Sequence, residues 1–72
     1  MAIVRNIQNQ DLYRYLGDNK FRNIRTGQEG VVSDEKAAEL FRVNLAATQM
    51  IEENPEIEEL IKRLNLKVDP NG

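Results

Sequence analysis

The tetrapeptide Gly17-Asp18-Asn19-Lys20 constrains the fold more than any other feature of the chain. Glycine, aspartate and asparagine tolerate the positive φ angles that tight hairpin turns require. The runs on either side, 12–16 and 21–26, contain the tyrosine, phenylalanine, isoleucine and threonine residues that favour strands. The sequence therefore predicts a β-hairpin with Asp18 and Asn19 as its two central turn residues.

This turn predicts which side chains of the hairpin share a face. Side chains alternate between two faces along a strand, and directly opposite residues share one face. With Leu16 opposite Phe21, the first face collects Tyr13, Tyr15, Arg22 and Ile24. The second face collects Leu12, Leu16, Phe21, Arg14 and Arg25. Neither face is cleanly polar, so we expect one to pack on helices and the other to meet a ligand or partner.

The flanking segments extend the hairpin into a predicted three-stranded meander. Gly27-Gln28-Glu29-Gly30 has the composition of a second turn, and Val31-Val32 provides a short third strand. Before the hairpin, the residues of 3–7 fit a short strand or an ordered arm.

A long helix is predicted from Asp34 to Glu53. Ser33 is a favourable N-cap, and the acidic residues that follow it suit the first turn of a helix. An apolar surface at helical spacing follows, formed by Leu40, Phe41, Val43, Ala47, Met50 and Ile51. Because this surface is broad for so short a chain, we predict that it forms the interface of a homo-oligomer.

A second, shorter helix is predicted to begin at Pro55, with Asn54 as its N-cap. Its apolar positions repeat at i, i+3, i+4 and i+7, at Ile57, Leu60, Ile61 and Leu64. After this helix, Leu66 and Val68 fit a short strand or strap, and we expect residues 69–72 to fray.

Size and composition limit how such a chain is stabilised. A domain of 72 residues buries only about 60% of its unfolded surface. The sequence has no cysteine and no histidine, so disulfides, thiolate metal sites and the usual neutral-pH general base are excluded. We therefore expect an oligomer or a stable partner complex, and no cofactor.

The sequence also lacks the features that direct a protein to or across a membrane. No apolar run approaches the ~18 residues that a membrane-spanning helix needs. Its start has neither the basic leader nor the long apolar segment of a signal peptide. We expect a cytoplasmic protein without a membrane partner.

Charge is divided unequally along the chain. Residues 1–28 carry five basic residues against two acidic ones, a net charge of +3. Residues 29–72 carry five basic residues against ten acidic ones, a net charge of −5. Since arginine and tyrosine suit the recognition of anionic groups, the predicted binding site for a ligand or partner is the hairpin. Its candidate residues are Tyr13, Arg14, Tyr15, Arg22 and Arg25.

Catalytic and metal-binding patterns are weak by comparison. Segment 18–29 has the length and acidic ends of a calcium loop, but Lys20, Arg22 and Asn23 occupy positions that need ligands or glycine. The acidic doublets of the helices point about 100° apart and do not converge on one point. We therefore expect no enzymatic activity.

Two segments of the chain, 13–17 (Tyr-Arg-Tyr-Leu-Gly) and 23–30 (Asn-Ile-Arg-Thr-Gly-Gln-Glu-Gly), resemble short uncharacterised proteins of phage and mobile-element genomes. The resemblance implies action by binding: capping a host enzyme, sequestering a signal nucleotide or assembling into particles. Its motifs consist mainly of turn glycines and strand residues, so it assigns no functional residue.

The sequence as a whole predicts a single α+β domain over 1–72. Its basic half, 1–32, is β-rich and packs as a meander on the two helices of the acidic half, 33–68. We expect a small oligomeric protein that acts by protein–protein interaction, for instance as a phage-like inhibitor of a host protein. The alternative is a protein that binds a small anionic ligand or nucleotide through the hairpin. The acidic helices and a pI near 5.0 disfavour nucleic acid.

Overall fold

The computed structural model describes residues 2–44 and 55–69 of the chain, with residues 55 and 56 described by their backbone only. Its elements are β1 (Ile3–Asn6), β2 (Leu12–Gly17), β3 (Lys20–Asn23), β4 (Glu29–Val31), α1 (Asp34–Leu40), β5 (Phe41–Asn44), α2 (Pro55–Leu64) and β6 (Lys67–Asp69). The fold is mixed α/β, and the described residues contain a six-stranded sheet and two helices.

Four sequential strands form the first part of the sheet, and two later strands extend it beyond β1. Its strand order is β4-β3-β2-β1-β5-β6. The first four strands form an antiparallel meander, and β5 adds antiparallel to β1. Strand β6 pairs parallel to β5. The predicted meander is therefore present, with β1 as a further strand.

The hairpin turn between β2 and β3 lies where the sequence predicts it, but the register differs by one residue. Asp18 and Asn19 have φ angles of 52° and 62°, as the turn requires. A bulge at Leu16, however, leaves Tyr15 opposite Phe21 and not opposite Arg22. The predicted grouping of side chains is therefore wrong, because a one-residue shift moves each side chain of one strand to the other face relative to its partner.

Helix α1 is much shorter than the sequence predicts. It begins after Ser33, whose hydroxyl accepts the backbone N–H of Lys36 at 3.1 Å, and it ends at Leu40. Phe41 already has extended geometry, with φ −115° and ψ 145°. The predicted helix is therefore wrong over β5, and its remainder, 45–53, lies outside the described residues. Strand β5 forms because its alternating residues pair with β1 far away in sequence.

The apolar surface that the sequence assigns to an oligomer interface is not a helical surface over its described part. Leu40 ends α1, whereas Phe41 and Val43 belong to β5. All three are buried in the core of the chain itself, with at most 8% of their surface exposed. They are therefore almost inaccessible to a second subunit. Ala47, Met50 and Ile51 lie outside the described residues.

One apolar core joins the two halves of the chain. Helix α2 begins at Pro55 as predicted, and it buries Ile57, Leu60 and Leu64 against the inner face of the sheet. Helix α1 contributes Ala37 and Leu40 to the same cluster. Strand β6 then follows α2, where a short strand or strap is predicted, and it includes Asp69.

A chain of three rings forms the centre of this core. The Phe21 and Phe41 rings stack with their centroids 4.3 Å apart, and Tyr13 meets Phe41 edge-on at 5.2 Å. Such pairs contribute about 0.5–1.5 kcal/mol beyond the area they bury.

No helix in the described part of the chain is long and apolar enough to span a membrane.

Candidate functional site

The outer face of the sheet, opposite the helices, carries a row of arginines. Arg14 of β2 lies directly opposite Arg22 of β3. Both side chains are exposed, because their neighbours Tyr13, Tyr15 and Phe21 take the inner positions. Cations directly opposite each other in a sheet repel and reduce stability.

A second row of cations crosses the other half of the same face. Arg5 of β1 lies opposite Arg42 of β5, and Arg42 lies opposite Lys67 of β6. Paired residues in a sheet point to the same side, so all three belong to the face that also carries Arg14 and Arg22. We call these five residues the basic face.

The ion pairs of the described residues involve other cations, and one of them lies on the same face, because Glu29, the partner of Lys20, is directly opposite Arg22. Lys20 pairs with Glu29 at 3.3 Å, Arg25 with Asp11 at 2.9 Å, and Arg63 with Asp34 at 4.0 Å. Over the described ranges, Arg14, Arg22, Arg42 and Lys67 take part in no ion pair and no side-chain hydrogen bond. Arg5 donates to the Gln10 carbonyl at 3.0 Å. The basic face therefore presents guanidinium and ammonium groups that can receive an anion.

Aliphatic side chains lie between these cations. Leu12 is opposite Arg5, and Ile24 donates its backbone N–H to the Leu12 carbonyl, which places both on the outer side. Ile24 is 49% exposed. Ile3, opposite Arg14, is only 7% exposed although it lies outside the core cluster. The aliphatic stems of long cationic side chains commonly cover such a residue. The face thus combines positive charge with apolar contact area.

The five predicted site residues are divided among three places. Tyr13 and Tyr15 lie on the inner face, whereas Arg14 and Arg22 lie on the outer face, so the tyrosines do not join these arginines. The Tyr13 hydroxyl accepts from Asn9 Nδ2 at 3.0 Å, and the Tyr15 hydroxyl accepts a short bond from Arg63 Nη2.

Arg25, the fifth predicted residue, lies in the turn after β3. Its guanidinium donates to Asp11, at 2.9 Å from Nη2 to Oδ2 and at 3.4 Å from Nε to Oδ1. The Asp11 carboxylate also accepts from Asn23 Nδ2 at 3.0 Å. The arginine, and then the asparagine, lower the pKa of Asp11, and the same carboxylate raises the pKa of Arg25. Arg25 is therefore already paired and belongs to a structural cluster.

Two turns at one end of the sheet are built alike. Segments 6–10 and 23–27 both begin with Asn-Ile. In each, the asparagine Oδ1 accepts the backbone N–H groups two and three residues later, at 2.8 and 3.2 Å in the first turn and 2.8 and 3.1 Å in the second. In both, the fifth residue donates its backbone N–H to the carbonyl of the asparagine at 2.8 Å. Ile7 and Ile24 therefore occupy equivalent positions beside the basic face.

A cavity of about 230 Å³ lies on the inner side of the sheet, near β4. Phe21, Phe41 and Tyr13 form its apolar floor, and Gly30 is the inward-facing residue of β4 beside it. A Cβ atom at Gly30 would meet no atom within 4 Å, so the missing side chain leaves this space open. Its polar lining residues are Asn6, Asn23, Gln28 and Glu29, and it has no charged cluster that indicates chemistry.

Comparison with protein-family models, curated proteins and solved structures finds no match for this chain. Within the described part of the chain, no group of three or more acidic residues is placed to hold a metal ion. The basic face is therefore the candidate functional site of this chain.

Three members of the basic face, Arg5, Arg42 and Lys67, are missing from the predicted site. A signal for Arg42 was present, because Phe41-Arg42-Val43 alternates apolar and polar as a half-buried strand does. The helical spacing that links Leu40 to Val43 obscured it. Arg5 and Lys67 join the site only through pairing of β1, β5 and β6, which no local pattern specifies.

Proposed function

We propose that this protein is a small non-enzymatic binding protein that contacts an acidic surface of another protein through its basic face. The observation that carries the proposal is the placement of cations directly opposite cations, Arg14 against Arg22 and Arg42 against both Arg5 and Lys67. Such pairs destabilise a sheet by roughly 0.2–1 kcal/mol each. An acidic partner would place carboxylates beside these cations, and their attraction to the cations would offset the repulsion.

Two features of the face favour a protein over a nucleic acid. Binding of single-stranded nucleic acid commonly uses aromatic stacking platforms, and both tyrosines lie on the inner side of the sheet. Leu12 and Ile24 instead offer aliphatic contact area between the cations.

A second candidate is a small anionic ligand such as a nucleotide. A concavity of about 250 Å³, lined by Arg14, Arg22 and Ile24, favours it. Two guanidinium groups at one concavity could bind a phosphate or carboxylate with several hydrogen bonds. The tyrosines would not contribute from the outer face, so this ligand would be held by charge and not by stacking.

Self-association and inhibition of a host protein, which the resemblance to phage proteins implies, are further parts of the proposal. The small size of the chain supports self-association, since a domain of 72 residues is marginally stable alone. Native mass spectrometry of the full chain would give the subunit number. A strictly monomeric protein would contradict self-association and leave the role of the basic face intact.

The central test is binding of the full chain to labelled poly-L-glutamate, measured by fluorescence anisotropy. We expect binding that weakens with salt and falls at least about tenfold in the double variant Arg14→Glu/Arg22→Glu. The matched control is Lys36→Glu/Lys62→Glu, which makes the same change of charge on the helices and should bind within about twofold of the wild type.

Three outcomes would overturn the proposal. The first is no binding of poly-L-glutamate by the wild type, and the second is an equal loss in both double variants. The third is tighter binding of a thymidine oligonucleotide than of poly-L-glutamate, which would indicate a nucleic-acid protein. Binding of ATP alone, lost in Arg14→Glu/Arg22→Glu, would select the small-ligand candidate.

A further inference from the structure

Four of the five cations of the basic face line two concavities of similar volume. The first is lined by Arg14, Arg22 and Ile24 and has a volume of about 250 Å³. The second also has a volume of about 250 Å³ and contains Arg42 and Lys67. In both, the two cations lie directly opposite each other on neighbouring strands.

An isoleucine completes each concavity, and the two isoleucines are structurally equivalent. Ile24 lines the first concavity, and Ile7, which is 38% exposed, lines the second. Each is the second residue of one of the two alike turns described above. Each concavity therefore offers two positive groups beside one aliphatic side chain, which suits an acidic residue with an apolar neighbour.

The second concavity is the less positive of the two. Glu39, at its rim, reduces the local charge, and Phe41 and Ala38 add apolar lining. The first concavity has no acidic residue in its lining, and Glu29, which lies opposite Arg22, is paired with Lys20. We therefore expect the first to bind an acidic group more strongly than the second.

The distance between the concavities limits what can fill both. Their centres are three strand spacings apart across the sheet, from the β3–β2 pair to the β5–β6 pair, and two residues apart along the strands, or about 16 Å. Arg5, on β1, lies between them. The phosphates of one nucleotide are contiguous and would fill only one concavity. A protein segment with two acidic clusters can reach both.

We infer that the two concavities bind together to one acidic segment of a partner protein, whose two acidic clusters are about 16 Å apart and each adjoin an aliphatic residue. The inference rests on the proposed function and adds the number of contact points on the partner and the distance between them. Linking two weak contacts makes the second one intramolecular, so affinity rises without any new kind of contact.

The test uses synthetic peptides and isothermal titration of the full chain. One peptide carries a single Glu-Leu-Glu block, and two others carry two blocks, joined directly or by a Gly/Ser linker of eight residues. The centres of directly joined blocks are at most about 11 Å apart, whereas the eight-residue linker gives a mean separation of about 18 Å. We expect the long-linker peptide to bind at least about tenfold more tightly than the other two.

Charge reversal then shows whether both concavities are used. Arg14→Glu/Arg22→Glu and Arg42→Glu/Lys67→Glu should each remove the advantage of the long linker, with the larger loss in the first. Lys36→Glu/Lys62→Glu should keep it. Circular dichroism checks the fold, and the glutamine versions of the same double variants replace any that fails to fold.

The possible failures are distinguishable. If affinity does not depend on linker length, but Arg14→Glu/Arg22→Glu still loses poly-L-glutamate, then the two-concavity inference is wrong and the proposed function stands. The inference is also overturned if Arg42→Glu/Lys67→Glu retains the linker advantage. If neither the peptides nor poly-L-glutamate bind the wild type, the proposed function itself fails.

Discussion

The two faces of this sheet are made by the same strands but differ in burial and in charge. On the inner face, Val4, Phe21 and Val43 are at most 2% exposed, and no buried side-chain nitrogen or oxygen among the described residues lacks a hydrogen bond. On the outer face, cations oppose cations across neighbouring strands. The inner face provides the apolar core, whereas the like-charged pairs of the outer face oppose folding, and this difference is why we assign function to the outer face.

The sharpest contrast between the faces lies at two neighbouring residues of β5. Phe41→Ala on the inner face should lower the free energy of unfolding by about 3–5 kcal/mol, because it removes a ring that contacts both Tyr13 and Phe21. Arg42→Ala on the outer face should change it by at most about 0.5 kcal/mol. Urea denaturation measures both. Equal effects of the two substitutions would contradict the assignment of the faces.

A second prediction concerns the polar end of the inner face. Asn23 is 5% exposed; its Oδ1 accepts two backbone N–H groups and its Nδ2 donates to Asp11. Asn23→Ala should therefore destabilise the fold by about 1–3 kcal/mol, since these partners lose their bonds. Gln8→Ala, an exposed position in the equivalent turn, is the control and should change stability little. A stable Asn23→Ala variant would show that the turn does not depend on this side chain.

On the outer face the sign of the effect should reverse. Arg14→Glu places a carboxylate opposite Arg22, so the variant should be more stable than the wild type by about 0.2–1 kcal/mol. The gain should shrink as salt is added. Arg14→Gln, which removes the repulsion without adding an attraction, is the matched control and should gain less. Destabilisation by Arg14→Glu would mean that the arginine supports the fold.

The smallest expected effect is a pH dependence from Asp11. Its pKa is lowered in the folded chain from the ordinary value of 3.8, chiefly by the bond from Arg25 and then by that from Asn23. A carboxyl group whose pKa is lower in the folded than in the unfolded state stabilises the fold at pH values above its unfolded-state pKa. This stabilisation is lost as the pH falls through the folded-state pKa. Unfolding measured below pH 5 should therefore show a steeper loss for the wild type than for Asp11→Asn, and parallel curves would contradict this.

Local patterns in the sequence were sufficient for some elements. The turn at Asp18 and Asn19, the cap at Ser33 and the start of α2 at Pro55 are confirmed, because each depends on the conformational preference of a few adjacent residues. The apolar repeat of α2 also predicted its buried face. These features form wherever their residues occur in suitable context.

Non-local pairing decided what local patterns did not. The bulge at Leu16 shifts the hairpin register, and both tyrosines lie on the inner face, where Tyr13 contacts Phe41 and Tyr15 contacts Phe21. Strand β5 forms at residues with helical spacing because β1 and β6 pair with it on either side. Two residues of the predicted site, Arg14 and Arg22, therefore lie on the basic face, beside cations of β1, β5 and β6 that only strand pairing brings there.

The most direct test of the account is an NMR titration of the isotope-labelled full chain with poly-L-glutamate. The account predicts that amide shifts change at outer-face positions, Arg14 and Arg22 first and Arg42 after them. Buried inner positions such as Val4 and Val43 should change little. Shifts that concentrate on α1 and α2, or no shifts at all, would contradict the assignment of function to the basic face.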